Sequence, residues 1–418
     1  MFTSFSTALS ALSASSTAID VVGNNLANLN TIGYKASDVS FHDLVTQSLG
    51  AGLGETQVGF GVGTPLTTRE FTQGAIQTTG GTLDAAIQGQ GFFVIQGPNG
   101  STEYTRAGNF QVDASGSLET ATGEAVQGWT QATDGTLNTN APPGNITIPT
   151  GTVQAPIASQ NISFDMNLNA AATVGSSNAT YATSVTVYDS LGNSHVVTAT
   201  FTMDPTVPGQ WDYSLSIPNA DVANPPATPL TGSITFDSNG NLTSPAAGTA
   251  SPQLAITGLA DGASDMTLNW NLFNGATPRI TQYAQTSSIS AVSQDGSPAA
   301  QLVSVAVADG GQVLAQFSNG QQTVVGQLAM ATIRNPDSLL AVGNNNYELS
   351  ALSALPAVGL PGTGGRGTVE GGAVESSTVD IATEFTNLIV YQRGYEANSK
   401  VVTTVDQLSQ DTINLINT

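Results

Sequence analysis

Apolar residues recur at three- and four-residue steps at the two ends of this chain and at two-residue steps between them. The pattern predicts one amphipathic helix at each terminus and strands in the body. At the N-terminus Phe2, Phe5, Leu9, Leu12, Ser16, Ile19, Gly23 and Leu26 form a heptad seam. At the C-terminus Ile381, Phe385, Leu388, Gln392, Tyr395, Ser399 and Val402 repeat the spacing, beside a second stripe of Val401, Val405, Leu408, Thr412 and Leu415. The face opposite the N-terminal seam is Ser, Thr, Ala and Asn, and Asp20 is the sole charge before Lys35. Two fates suit such helices. They can pair with each other inside one chain, or many copies can share them in a packed tube. A self-contained hairpin would carry interleaved Lys and Glu on its outer face. This one does not, which favours the shared tube.

Between the helices the chain is read in blocks: helix over 1–30, extended connector over 31–70, first part of a β domain over 71–144, an inserted β domain over 145–282, the second part of the first β domain over 283–358, a Gly-rich linker over 359–376 and the C-terminal helix over 377–418. The Asn-dense run 24–35, with Gly33, stops the first helix, because Asn and Gly tolerate positive φ. Turn pairs at 99–100, 115–116, 239–240, 274–275 and 319–320 space the strands as hairpins. The fold class is a mainly β multi-domain body with N- and C-terminal α-helices pairing in a coiled-coil-like inner tube.

Composition narrows the function. The 418 residues carry a net charge of −22 with only 8 Lys and Arg, which repels phosphate backbones and anionic lipid surfaces. Neither nucleic-acid binding nor membrane insertion is expected, and no run of about 18 apolar residues suggests a bilayer span. No cysteine is present, so disulfides and thiolate chemistry are excluded. The N-terminus lacks the basic start and cleavage site of a secretory signal. The two histidines, His42 and His195, have no metal-ligand spacing around them, and no catalytic motif occurs, so no catalytic, cofactor or metal site is expected. Paired carboxylates leave a secreted β-rich carbohydrate-active enzyme as the competing class. Arg106 and Arg393 are rare cations, either solvated or paired with carboxylates of neighbouring copies.

Three segments resemble one family. The N-terminal run 8–37, with Asn24, Asn25, Asn28 and Gly33, the body segments 86–96 and 104–129, with Gly91, Phe92, Arg106 and Gly108, and the C-terminal run 379–408, with Gln392, Arg393 and Asn398, are similar, in order, to the axial proteins of the bacterial flagellum. No motif is matched over 145–279. A rod subunit would lack so large an insertion, so length favours the hook subunits over a distal rod subunit. The resemblance implies a homopolymeric tube outside the cell whose inner wall is built from terminal helices, acting as a universal joint that carries motor torque. It implies unfolded export by the flagellar type III apparatus without a cleaved signal. Rod, hook–filament junction and hook-cap proteins are implied partners, with no cofactor. Phe41 and Val45, in the segment FHDLV, are similar to the docking motif that family members offer to the export gate. The polymerisation seam would comprise Phe2, Phe5, Leu9, Leu12, Ile19, Leu26, Ile381, Phe385, Leu388, Tyr395, Val402 and Leu408. One departure is Gly394, since glycine inside a helix costs about 1 kcal/mol relative to alanine.

Overall fold

The computed structural model describes residues 2–44, 47–49, 56–132, 136–151, 153–224 and 227–416. The chain divides into two compact units, one of 1–150, 304–316 and 322–418 and a second of 151–303 with 317–321.

In the first unit, helix α1 spans Phe2–Ala27 and helix α2 spans Ile381–Ile416, and they pack on each other. Asp380 caps α2, its carboxylate accepting from the N–H groups of Ala382 and Thr383 at 2.8 and 3.2 Å. Gly394 does not break α2. A Cβ built there meets Ser15 Oγ of α1 at 3.7 Å, so the glycine sits where the helices approach. The Ser15–Gly394 and Asn25–Glu384 contacts step in opposite directions, which makes the pair antiparallel and puts Phe2 level with about Gln407. The last turns of α2 therefore overrun α1.

The stretch expected as an extended connector is an antiparallel ladder. Ser37–Ser40 pairs with Leu66–Arg69, a bridge joins Asp43 to Val62, and Gln47–Leu49 pairs with Thr56–Val58. Near its middle the Val62 N–H donates to Ser10 Oγ of α1 at 3.2 Å.

The β domain of this unit is an antiparallel sheet. Phe92–Gln96 pairs with Thr102–Thr105 and with Ala125–Thr130, and Ala125–Thr130 pairs with Gln322–Leu328. Phe92, Val94, Tyr104, Trp129, Ala331 and Tyr347 share one core cluster. The stretch 359–376 is not a linker. Thr368–Gly371 pairs with Ala85–Gln88 and Ala373–Glu375 with Ile76–Thr78, and Val369, Ala373 and Val374 are buried. Its glycines serve turns between short strands rather than slack.

The second unit holds two five-stranded sheets over one core. In one, Asn161–Asn169 lies parallel to Met266–Trp270 and Ile280–Tyr283 and antiparallel to Ser288–Gln294. The other is a meander of Thr180–Tyr188, Ser194–Met203, Gln210–Ser216, Leu230–Phe236 and Leu242–Ser244. Alternate residues of Ser194–Met203 point inward, as period-two sequence demands. Trp270 joins the sheets, its ring edge-on to Phe164 at 6.2 Å and to Tyr213 at 4.9 Å. The unit runs past the expected limit of 282 because Ser288–Gln294 completes its first sheet.

Gly108 tests how close this packing is. A Cβ there falls 1.7 Å from the Ala85 carbonyl oxygen, whereas one at Gly144 meets nothing within 4 Å. Gly108→Ala should lower stability by about 2 to 4 kcal/mol in urea unfolding, and Gly144→Ala by less than about 1 kcal/mol.

Candidate assembly surface

The charged node beneath the helices is built first, because it fixes where they start. Lys35, two turns beyond α1, and Glu375, shortly before α2, are both fully buried. Lys35 Nζ donates to Glu375 Oε1 at 2.6 Å and to the Thr72 carbonyl at 2.5 Å. Glu375 Oε1 also accepts from the Gly74 N–H at 2.7 Å, and Oε2 accepts from Arg106 Nη1 at 3.1 Å. Arg106 Nη2 donates to the Gly89 carbonyl at 2.9 Å, and the guanidinium lies 5.4 Å over the Phe92 ring. Burial pulls the Lys35 pKa down, and the Glu375 carboxylate opposes that shift.

The backbone closes on the same point. Gly33, at φ 68°, donates its N–H to the Glu375 carbonyl at 2.7 Å, and a Cβ there would stand 2.6 Å from the Arg106 backbone. Glycine is needed at 33 on both counts. Gly91, at φ 130°, is required by its backbone conformation, while the nearest atom to a Cβ there is the movable Met330 Cε at 2.8 Å.

Asn25, at the last turn of α1, is a second buried joint. Its amide donates to the Ser37 carbonyl and to Glu384 Oε1, both at 2.8 Å, and its oxygen accepts from the Ser37 N–H at 3.0 Å and from Tyr34 Oη at 3.2 Å. Both donors and both acceptor positions are used. Burial raises the Glu384 pKa, Asp38 and Asp380 adding to it while the Asn25 bond opposes it. Asn24 donates to Tyr34 Oη, and Asn28 donates back to the Asn24 carbonyl, closing the helix end. Arg106 is thus an internal partner of Glu375, which corrects the expectation that it reaches a neighbouring copy. Gln392 and Arg393 stand exposed on α2, and Asn398 donates to the Gly394 carbonyl at 2.8 Å.

Above this base, α1 buries its small residues. Ala8, Ala14, Ala18 and Val22 are the covered positions, offset roughly a third of a turn from the stripe of Phe5, Leu9 and Leu12. Phe5 is 39% and Leu9 53% exposed, and Leu12, Ile19 and Leu26 are half-covered. On α2, Ile381, Phe385, Tyr395 and Leu408 are exposed, while Leu388 and Val402 are half-covered. The side chain of Phe2 lies outside the described residues. Helix pairing within the chain therefore half-covers part of the large apolar seam and leaves Phe5, Leu9, Ile381, Phe385, Tyr395 and Leu408 exposed. Phe41 is partly exposed with its ring 5.8 Å from that of Tyr391, and Val45 lies outside the described residues. By length and composition Ser4–Ala27 is apolar enough to cross a bilayer, which corrects the expectation that no such run exists. Within the chain its Ser15 faces Gly394 of α2, and Ser10 Oγ accepts from the Val62 N–H of the ladder.

Comparison with known proteins follows the same division of the chain. Residues 5–35 match the flagella basal body rod protein model, 86–163 the flagellar hook protein FlgE/F/G D1 domain, 167–297 the flagellar basal body protein FlaE D2 domain and 370–415 the flagellar basal body rod FlgEFG protein C-terminal model. The flagellar hook protein FlgE of Salmonella typhimurium is 33% identical over 99% of this chain and 100% of its own length. The chain belongs to the flagellar hook protein family. FlgE of Borreliella burgdorferi is 32% identical over the whole of both chains. The crystal structure of Helicobacter pylori FlgE2, 17% identical, shares the fold with a TM-score of 0.52 over 70% of this chain and 99% of its own. The D2 match covers most of the insertion in which the sequence showed no motif. Hook relatives match the full length, so a rod subunit is set aside, and the family is one of structural flagellar proteins found outside the cell.

Glu375→Gln should cost about 3 to 5 kcal/mol in urea unfolding, since Lys35 and Arg106 stay buried without their counter-charge. Asp165→Asn, which breaks the half-exposed Arg279 pair of the second unit, should cost under about 1 kcal/mol. For Glu384 the folded chain holds a proton above the ordinary carboxyl range, so this group's contribution to stability falls as pH rises through the raised pKa. Glu384→Gln keeps the bond from Asn25 and should remove that slope, leaving the variant at least as stable as the parent at neutral pH.

Proposed function

We propose that this hook subunit polymerises by burying, between copies, the apolar faces that its own helix pair leaves bare. The observation that carries this is the separation of stripes on α1. Small residues Ala8, Ala14, Ala18 and Val22 are used within the chain, and Phe5 and Leu9 are not. Each large side chain covered by a neighbour contributes roughly 1.5 to 3 kcal/mol. Repeated through a helical array, this gives a stiff inner wall of the seam residues Phe2, Phe5, Leu9, Leu12, Ile19, Leu26, Ile381, Phe385, Leu388, Tyr395, Val402 and Leu408. The β units then provide the contacts that slide as the curved tube turns as a universal joint.

Rod and hook–filament junction proteins at the two ends, the hook cap during growth and the type III export apparatus are the partners this reading assigns. For export docking, Phe41 and Val45 act in the unfolded chain. The packing of Phe41 on Tyr391 then belongs to the folded state after export.

Leu9→Asp tests the seam. Leu9 is half exposed in the single chain, so the unfolding midpoint of the unassembled protein should move by no more than about 0.5 kcal/mol equivalent. In the polymer the carboxylate would be buried without a partner in every copy. Electron microscopy and sedimentation of the full-length protein should show tubes for the parent and none for the variant. Normal tubes from the variant would remove the seam from the inner wall.

A further inference from the structure

In the second unit one imidazole lies among three carboxylates. His195 Nδ1 is 3.1 Å from Asp221 Oδ2, while Nε2 is 3.1 Å from Asp189 Oδ2 and 3.4 Å from Asp261 Oδ2. His195 and Asp189 are buried, and Asp221 and Asp261 are about a quarter exposed at their side chains. Three turns supply them: the hairpin end at 188–194, the short 3-10 turn Asn219–Asp221 and the loop around Asp261.

The carboxylates divide their oxygens in a consistent way. Asp189 Oδ1 accepts from the N–H groups of Leu191 and Asn193 at 2.8 and 2.9 Å, and Asp261 Oδ1 accepts from the Ala263 N–H at 3.0 Å. Each Oδ1 thus anchors its own turn, and each Oδ2 is left facing Nε2. Asn193 Nδ2 donates to Asp261 Oδ2 at 3.0 Å and steadies it. A single hydrogen on Nε2 cannot be well aligned with both oxygens at once, so beyond the Asn193 amide the pair of carboxylates has little positive charge directed at it. The unit has nine aspartates and one Lys or Arg, Arg279, which is already bound to Asp165 at 2.7 Å.

We propose that Asp189, His195 and Asp261 form a site for a divalent transition ion of the Zn2+ type, with Asp221 holding the imidazole so that Nε2 faces the ion. The two edges from Nε2, 3.1 and 3.4 Å, suit such an ion, and the three donor atoms all lie within 4.8 Å of one another: at metal–ligand distances of about 2.1 Å, neighbouring donors stand about 3.0 Å apart in octahedral and about 3.4 Å in tetrahedral geometry. The imidazole selects against Ca2+ and Mg2+, which take oxygen ligands. A carboxylate on the far ring nitrogen is the usual support of a metal-bound histidine. Three protein ligands leave the remaining positions to solvent. The bound ion would staple three turns at one end of the unit.

The full-length chain, stripped with chelator, is titrated with Zn2+ and in parallel with Co2+. One equivalent should bind, Co2+ should give visible ligand-field absorption, and Zn2+ should raise the unfolding midpoint read at the near-ultraviolet tryptophan signal of a Trp129→Phe background, which leaves Trp211 and Trp270 of the second unit as the only tryptophans. Asp261→Asn, which changes only a loop carboxylate, and Asp221→Asn should each weaken binding by about 10- to 100-fold. His195→Gln should abolish the Co2+ spectrum, and Asp261→Asn carries the test if that variant does not fold. The proposal is overturned if binding is not saturable below millimolar Zn2+, or if Asp261→Asn binds as the parent does. It is equally overturned if the parent's midpoint is the same with chelator and with Zn2+, which would leave a protonated His195 as the sole counter-charge.

Discussion

Everything at the helix-bearing end of this molecule depends on finding counter-charges for one buried carboxylate. Glu375 is sealed from solvent, and an unpaired charge there would cost several kcal/mol, so Lys35 and Arg106 must both arrive for the fold to close. They arrive from distant parts of the chain, one just after α1 and one from the sheet, while Glu375 itself leads into α2. The node therefore does what a disulfide does in other proteins, in a chain that has no cysteine. Gly33 is part of the same requirement, because its N–H binds the Glu375 carbonyl and any side chain there would strike Arg106. Once this point is fixed, Asn25 and Glu384 set the first turn of contact between the helices, and the antiparallel register follows.

The helix pair raised on that base is economical in apolar area. Alanines, Ser15 and Gly394 allow close approach, and small side chains bury little surface each. A 26-residue and a 36-residue helix joined mainly through such residues hold less apolar stabilisation than their length permits. The larger side chains sit on other faces. This allocation fits a subunit whose strongest helix contacts form between copies, so that the folded chain and the assembled polymer draw on separate residues.

Periodicity made both helices legible, and alternation made the strands of the second unit legible, because in each case local spacing reports directly which face is covered. Long-range pairing left no such trace. Arg106 was recognisable as a motif residue, yet its partner is 269 residues away, and sequence alone left it between solvent and a neighbouring copy. The stretch 359–376 read as linker because glycine density marks both slack chain and tight turns between short strands; buried Val369 and Val374 distinguish the two only after folding. The ladder over 37–69 was hidden because its alternation is weak. His195 seemed isolated for a similar reason: Asp189 lies across a hairpin turn and Asp261 in another loop, so no ligand spacing connects them in sequence. What the spacing of Phe5, Leu9 and Leu12 did report was an apolar face, without saying which partner covers it.

Charge distribution then decides what kind of force can hold copies together. Of the eight Lys and Arg residues, Lys35 and Arg106 serve Glu375, Arg279 serves Asp165, Arg366 donates to the Leu360 and Ala357 carbonyls, and Arg69 lies over the Tyr347 ring. Arg334, Arg393 and Lys400 remain on exposed positions, the last two on α2. A subunit of net charge −22 with so few outward cations repels its own copies at long range. Physiological salt shortens that repulsion to roughly 8 Å without reversing its sign. Any attraction between copies must therefore be short-range and strong enough per copy to exceed the residual repulsion, and the exposed Phe, Leu, Ile and Tyr side chains of α1 and α2 are apolar surface of the kind such an attraction requires.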